Sequence, residues 1–187
     1  MEQAKNMGCP TLSPEDDKGT GQRLDKKTAS QHSELEYLKD IRREFGLREQ
    51  DLFSEPRFID SFTLPATMKH VREARARVEN LAYSVGIDES KRFDLSLAVG
   101  EAVANAIEHG NGNNPNGSFT VRCLATPRLV CVSVSDHGPG FNPDELPDLS
   151  ESLLCDRGRG LHCIFALMDK VGFDFASGTT VRMVKFC

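Results

Sequence analysis

Glu101, Asn105 and His109 recur at every fourth position in the segment E-A-V-A-N-A-I-E-H-G, a spacing that puts all three on one stripe of an α-helix. The apolar residues Val99, Val103 and Ala106 fill a neighbouring stripe, suited to packing on a sheet. A carboxylate and an amide beside a buried face cost desolvation unless something pairs with them. A hard cation or an activated hydroxyl would do so. An Asn oxygen can ligate Mg²⁺, which takes its remaining oxygens from water and nucleotide phosphates, and Glu101 is placed to accept a proton from an attacking hydroxyl. On their own these residues equally describe a solvated helix face. His109 reads as a helix C-terminal residue favoured by the macrodipole.

Two further segments have chemical potential. Asp136, Gly138 and Gly140 stand in S-D-H-G-P-G-F directly after an apolar alternating run. Paired glycines let backbone turn sharply and approach a ligand, and an Asp at a strand end can accept from an exocyclic amine. Arg157, Gly158, Arg159 and Gly160 immediately precede an apolar run at Leu161. Glycine-rich backbone feeding a helix N-terminus presents free N–H groups and a positive dipole end to phosphate. Each segment alone also fits an ordinary glycine turn.

The elements that must position these residues follow from periodicity. Residues 58–64 alternate as a strand that Pro65 closes, and residues 67–85 carry Met68, Val71, Ala74, Val78 and Leu81 on one helical stripe. A second helix is expected from about Asp88 to His109, stopped by Gly110. Residues 118–125 and 129–135 read as strands joined at Thr126-Pro127-Arg128. A long loop over residues 136–160 leads to a short helix at 161–168, then strands at 171–176 and 180–186. The order β-α-α-β-β-α-β-β, with strands gathered in hairpins, predicts an α+β sandwich with its helices on one face.

Before this unit lies an extension, residues 1–56, ahead of a domain at 57–187. Residues 1 to about 30 hold hardly a large apolar side chain and are expected to be disordered. Leu35, Leu38, Ile41 and Phe45 then recur at helical spacing and end at Gly46, an amphipathic helix that docks either on a partner or on its own domain.

Composition narrows the function. The chain has 187 residues, of which 39% are hydrophobic, enough for one substantial core. No apolar run nears the roughly 20 residues that span a bilayer, and the N-terminus lacks a signal core, so a cytoplasmic protein is expected. A net charge of −5 argues against direct nucleic-acid binding. The six cysteines form no C-x-x-C pair, which points to reduced thiols. Cys123 and Cys131 could face one another across their hairpin.

In this order and spacing, the three segments resemble the ATP-binding boxes of the GHKL superfamily, whose members include DNA gyrase B and histidine kinases. They look most like the bacterial anti-sigma-factor serine kinases. E-A-V-A-N-A-I-E-H-G is similar to their N box, D-H-G-P-G-F to the first glycine box, G-R-G-L to the second, and G-T-T-V-R-M to the strand closing the adenine pocket. The resemblance implies a two-layer α/β sandwich of the Bergerat (histidine-kinase-like ATPase) type with ATP and Mg²⁺ as cofactors, residues 142–157 acting as a lid. By this matching Asn105 ligates Mg²⁺ and Glu101 is the general base. Asp136 binds adenine, Gly138 and Gly140 let base and ribose approach, Gly158 and Gly160 line the phosphates, and Thr179 supports Asp136 through a water. Proteins of this kind phosphorylate a serine on a STAS-domain anti-anti-sigma partner, bind a sigma factor, and are often homodimers. A non-catalytic ATP-responsive switch, or a STAS-directed kinase unconnected to sigma factors, remain the alternatives.

Overall fold

The alternating runs expected as strands pair into one antiparallel sheet, because each has one apolar set that only a helix layer can cover. The computed structural model describes residues 26–112, 114, 116–140 and 159–187. Strands β1 (Phe58–Pro65), β2 (Ser118–Ala125), β3 (Leu129–Ser135), β4 (Lys170–Asp174) and β5 (Thr180–Phe186) lie in the order β1-β2-β3-β5-β4. Every neighbouring pair is antiparallel. No helix among the described residues is long and apolar enough to cross a membrane.

Three helices cover one face: α3 (Val71–Ser84), α4 (Glu89–Asn105) and α5 (Arg159–Leu167), with a 3₁₀ turn at Met68–His70 leading into α3. Ala74, Val78 and Ala82 of α3, Leu95, Val99 and Val103 of α4, and Ile164 of α5 join a single core with Phe119, Val121 and Val132 of the sheet. Helix α3 stops at Gly86, whose φ of 82° an L side chain resists. Helix α4 starts on Asp88, whose Oδ1 accepts from the Lys91 N–H at 3.0 Å.

The other face is not bare, which departs from the expectation of helices on one side alone. Helix α1 (Lys26–Phe45) lays Tyr37, Leu38, Ile41 and Phe45 over Leu124, Leu129, Cys131 and Val184, a second core on the outer sheet surface. It ends at Gly46, φ 62°, where the Leu47 N–H returns to the Arg42 carbonyl at 3.2 Å, a Schellman closure. Helix α2 (Glu49–Leu52) follows, and the Asp51 carbonyl accepts from the buried Thr126 hydroxyl at 2.9 Å, tying it to the β2–β3 turn. The extension's helix thus docks on its own domain and begins at Lys26, earlier than the apolar stripe announces. Disorder was expected from residue 1 to about 30; residues 26–30 are instead the first turns of α1, and residues 1–25 lie outside the described residues.

Register also corrects the cysteine expectation. Cys131 stands opposite Leu124, and Cys123 opposite Val132. Cys123 therefore joins the inner core and Cys131 the outer one, on opposite faces of the sheet. Burial pushes both thiols well above their ordinary range, which leaves them protonated and inert.

Because Ile41 is 1% exposed between α1 and the sheet, Ile41→Ala is expected to lower unfolding stability by about 2–5 kcal/mol. Urea denaturation reads this directly. A change under about 0.5 kcal/mol would mean that α1 does not pack as described.

Candidate active site

The decisive local feature is how α4 ends. Its α-helical winding runs to Asn105 and then widens into a π turn, Ala106–Gly110, closed by the Asn111 N–H on the Ala106 carbonyl at 3.0 Å. Glu101 and Asn105 keep their α-helical register and share a face. His109 lies within the π turn at an exposed position. Such π turns concentrate at functional sites.

The π turn sets Gly110 directly against the glycine segment after β3. A Cβ at Gly110 would overlap the Asp136 carboxylate, and one at Gly138 would overlap the Gly110 backbone. On the far side, a Cβ at Gly178 would overlap the Asp136 carbonyl. Asp136 is 6% exposed inside this glycine cage. Its Oδ1 accepts from the Gly138 N–H at 2.8 Å and the Thr179 N–H at 3.3 Å, while its own N–H donates to the Thr179 carbonyl at 2.9 Å. Both side-chain bonds use Oδ1, and among the described residues Oδ2 is left to accept from a ligand amine. Thr179 reaches Asp136 directly through its backbone, and its hydroxyl lies beside Gly140, 3.9 Å from where a Cβ would sit. Gly140 itself has φ 77°, the left-handed region that glycine enters without strain.

The other end of the site forms where α5 begins. A Cβ at Gly160 would lie 2.8 Å from Glu101 Oε2 and 3.4 Å from both amide atoms of Asn105. The N-terminal turn of α5, whose first N–H groups have no helical partner, therefore stands against the carboxylate and amide of α4. Asn105 Nδ2 is buried with no hydrogen-bond partner among the described residues, and a bound group with an acceptor oxygen would satisfy it. Cys163 sits close by, its thiol pushed up by burial and by the Glu101 charge. Among the described residues no cluster of three or more His, Cys, Asp or Glu could hold a metal alone. A cation here would need phosphate and water oxygens besides Asn105, as Mg²⁺ commonly does. Gly158, Arg157 and the expected lid at residues 142–157 lie outside the described residues.

The structure thus gathers Glu101, Asn105 and Gly160 at one end, and Asp136, Gly138, Gly140 and Thr179 at the other. The histidine kinase-like ATPase domain family matches residues 64–185, which span both ends. The chain belongs to that family. The serine-protein kinase RsbW of Bacillus subtilis strain 168 is 30% identical over 131 residues, covering 66% of this chain and 82% of that protein. The RsbW kinase of Listeria monocytogenes serotype 4a is 30% identical over 132 residues, covering 66% and 83% respectively. A crystal structure of the RsbU and RsbW domains of Rv1364c from Mycobacterium tuberculosis superposes with a TM-score of 0.51 at 27% identity. That match covers 69% of this chain but spans only 32% of the mycobacterial chain. An RsbW-type member of the ATPase family therefore carries the Glu101–Gly160 constellation.

Two glycines that the matched motifs contain, Gly110 and Gly178, had no task of their own from sequence. A glycine after a helical His reads as a plain helix stop, and Gly178 as a hairpin turn. Only their contacts on Asp136, 26 and 42 positions away in the numbering, reveal what they do.

Proposed function

We propose that this protein is a kinase that transfers the γ-phosphoryl group of Mg-ATP to a serine of a STAS-domain partner, and so controls the supply of a sigma factor. The observation that carries the reading is the meeting of Glu101, Asn105 and the start of α5 at Gly160. Phosphoryl transfer needs positioning, charge neutralisation and a base rather than covalent chemistry, and this meeting of carboxylate, amide and helix start suits those tasks. The relatives' name, serine-protein kinase, supports serine as the acceptor. The reading sets the protein in the cytoplasm, where sigma factors act.

Each residue then has a defined task. Asp136 accepts the adenine amine at Oδ2, held in aim by the Gly138 and Thr179 N–H groups. Gly138 and Gly140 admit base and ribose. Gly158 and Gly160 line the phosphates with backbone N–H groups. Glu101 takes the proton from the attacking serine hydroxyl, which raises that oxygen's nucleophilicity as the phosphoryl group arrives. Asn105 fits a metal ligand, because its buried amide nitrogen has no partner among the described residues and a half-turn of the amide puts the oxygen in that place without changing shape. Bound Mg²⁺ supplies neutralisation of charge on the phosphate oxygens.

The test is to incubate the protein with Mg-ATP and STAS-domain proteins and to search for phosphoserine by mass spectrometry. One modified serine is expected. Asn105→Ala should abolish the modification and weaken Mg-dependent ATP binding at least about tenfold, or roughly 1.4 kcal/mol. Tight ATP binding with no STAS protein modified would replace the kinase with a nucleotide-responsive switch. Unchanged Mg-ATP affinity in Asn105→Ala would remove the metal assignment.

A further inference from the structure

We infer that helix α1 is a positioning element for the adenine end of the site, acting through Glu44, Arg182 and the β4–β5 hairpin. The inference rests on the reading of Asp136 as the adenine acceptor. Helix α1 lies outside residues 64–185, the part matched by the ATPase family.

The hairpin is the place where support is needed. β4 is an edge strand, paired only with β5, and the turn leaving it carries Gly178 and Thr179 onto Asp136. The same turn presents Phe175, whose ring carbon would stand 3.3 Å from a Cβ at Gly140. A shift of this turn therefore moves the Asp136 cage and the first glycine segment together.

The last turn of α1 clasps that hairpin at three points. The Lys170 ammonium donates to the Phe45 carbonyl at 2.7 Å, satisfying one carbonyl left open by the helix end. Gly172 lets the Glu44 carboxylate lie on β4, since a Cβ there would overlap it and stand 3.2 Å from the Phe45 ring. Arg182 Nη1 donates to Glu44 Oε2 at 2.9 Å and Nη2 to Asp174 Oδ2 at 2.9 Å. The chain continues into the turn, because Asp174 Oδ1 accepts from the Ala176 N–H at 2.9 Å. Glu44, Arg182, Asp174 and Ala176 thus form an unbroken line from α1 to the turn that holds Asp136. The side chains of Arg182 and Glu44 are 16% and 25% exposed, so solvent screens this pair less than a surface one.

A helix that only stabilised the fold would affect all nucleotides alike. A helix that aims Asp136 affects recognition of the adenine amine. The experiment measures equilibrium affinities of the full chain for Mg-ATP and for Mg-ITP, in which an oxo group replaces that amine. Wild type is expected to prefer ATP. Glu44→Gln, which keeps the side chain's shape, and Arg182→Gln, which removes the guanidinium, should each shrink that preference about two- to thirtyfold, mainly by weakening ATP, and the double variant should be no worse than either single. Arg43→Gln, which breaks only the exposed Arg43–Asp40 pair on the same helix, should leave it intact. An unchanged ATP/ITP ratio in Glu44→Gln and Arg182→Gln, whatever their melting temperatures, overturns the inference alone. A wild type that binds both nucleotides equally overturns Asp136 as the amine acceptor, and the inference with it.

Discussion

Replacing Glu101 with glutamine is expected to slow phosphotransfer by about 10²–10⁴-fold while nucleotide affinity stays nearly constant. The substitution keeps the side chain's shape, so the α5 start at Gly160, which stands close against Oε2, has no reason to move. What disappears is the capacity to take a proton. The proton is taken during phosphoryl transfer itself, so the loss falls on the chemical step and not on ground-state binding. Single-turnover transfer from labelled ATP to the STAS partner reads the rate, and calorimetry reads the affinity. Rate unchanged with affinity reduced would make Glu101 a phosphate- or metal-end binding residue instead of a base.

How much of this was legible beforehand depends on the range of the interaction involved. Glu101 and Asn105 were visible because one helix period joins them, and the strand that delivers Asp136 was visible from alternation alone. The outer helix was half visible. Its stripe of Leu35, Leu38, Ile41 and Phe45 was plain, yet Leu35 is 45% exposed while Tyr37 is 6% exposed and seated on the sheet. Tyr37 is selected by polar company, since its hydroxyl accepts from Ser133 at 3.2 Å, a contact between residues 96 apart in the chain. The Cys123 and Cys131 expectation failed for a related reason. The β2–β3 turn sets a register that pairs Cys131 with Leu124, and one residue of register reverses the face. The π turn left no local mark at all, because the same A-I-E-H-G string would end an α-helix equally well.

That π turn yields the second large effect. Local propensity and tertiary packing make opposite forecasts for Gly110→Ala. Gly110 has no positive φ, so alanine at a helix end should gain roughly 0.5–1 kcal/mol from reduced backbone entropy. Against this, the new Cβ would fall closer than 3.0 Å to the Asp136 carboxylate. Neither side can yield cheaply. Asp136 is pinned by the Gly138 and Thr179 N–H groups, and Gly138 is itself pressed on the Gly110 backbone. Overpacking of this kind costs about 1–3 kcal/mol, which exceeds the propensity gain. The expected result is a less stable protein whose ATP affinity falls at least tenfold, a loss of roughly 1.4 kcal/mol or more, because the carboxylate that must swing aside is the one proposed to receive adenine. Gly86→Ala supplies the contrast. Gly86 has φ 82° with nothing within 4 Å of its Cβ position, so alanine there should cost stability through backbone strain alone and leave ATP affinity untouched. Thermal melts and calorimetry on both variants separate the two. A Gly110→Ala protein that is stabilised and binds ATP normally would mean that α4 does not end against Asp136 at all.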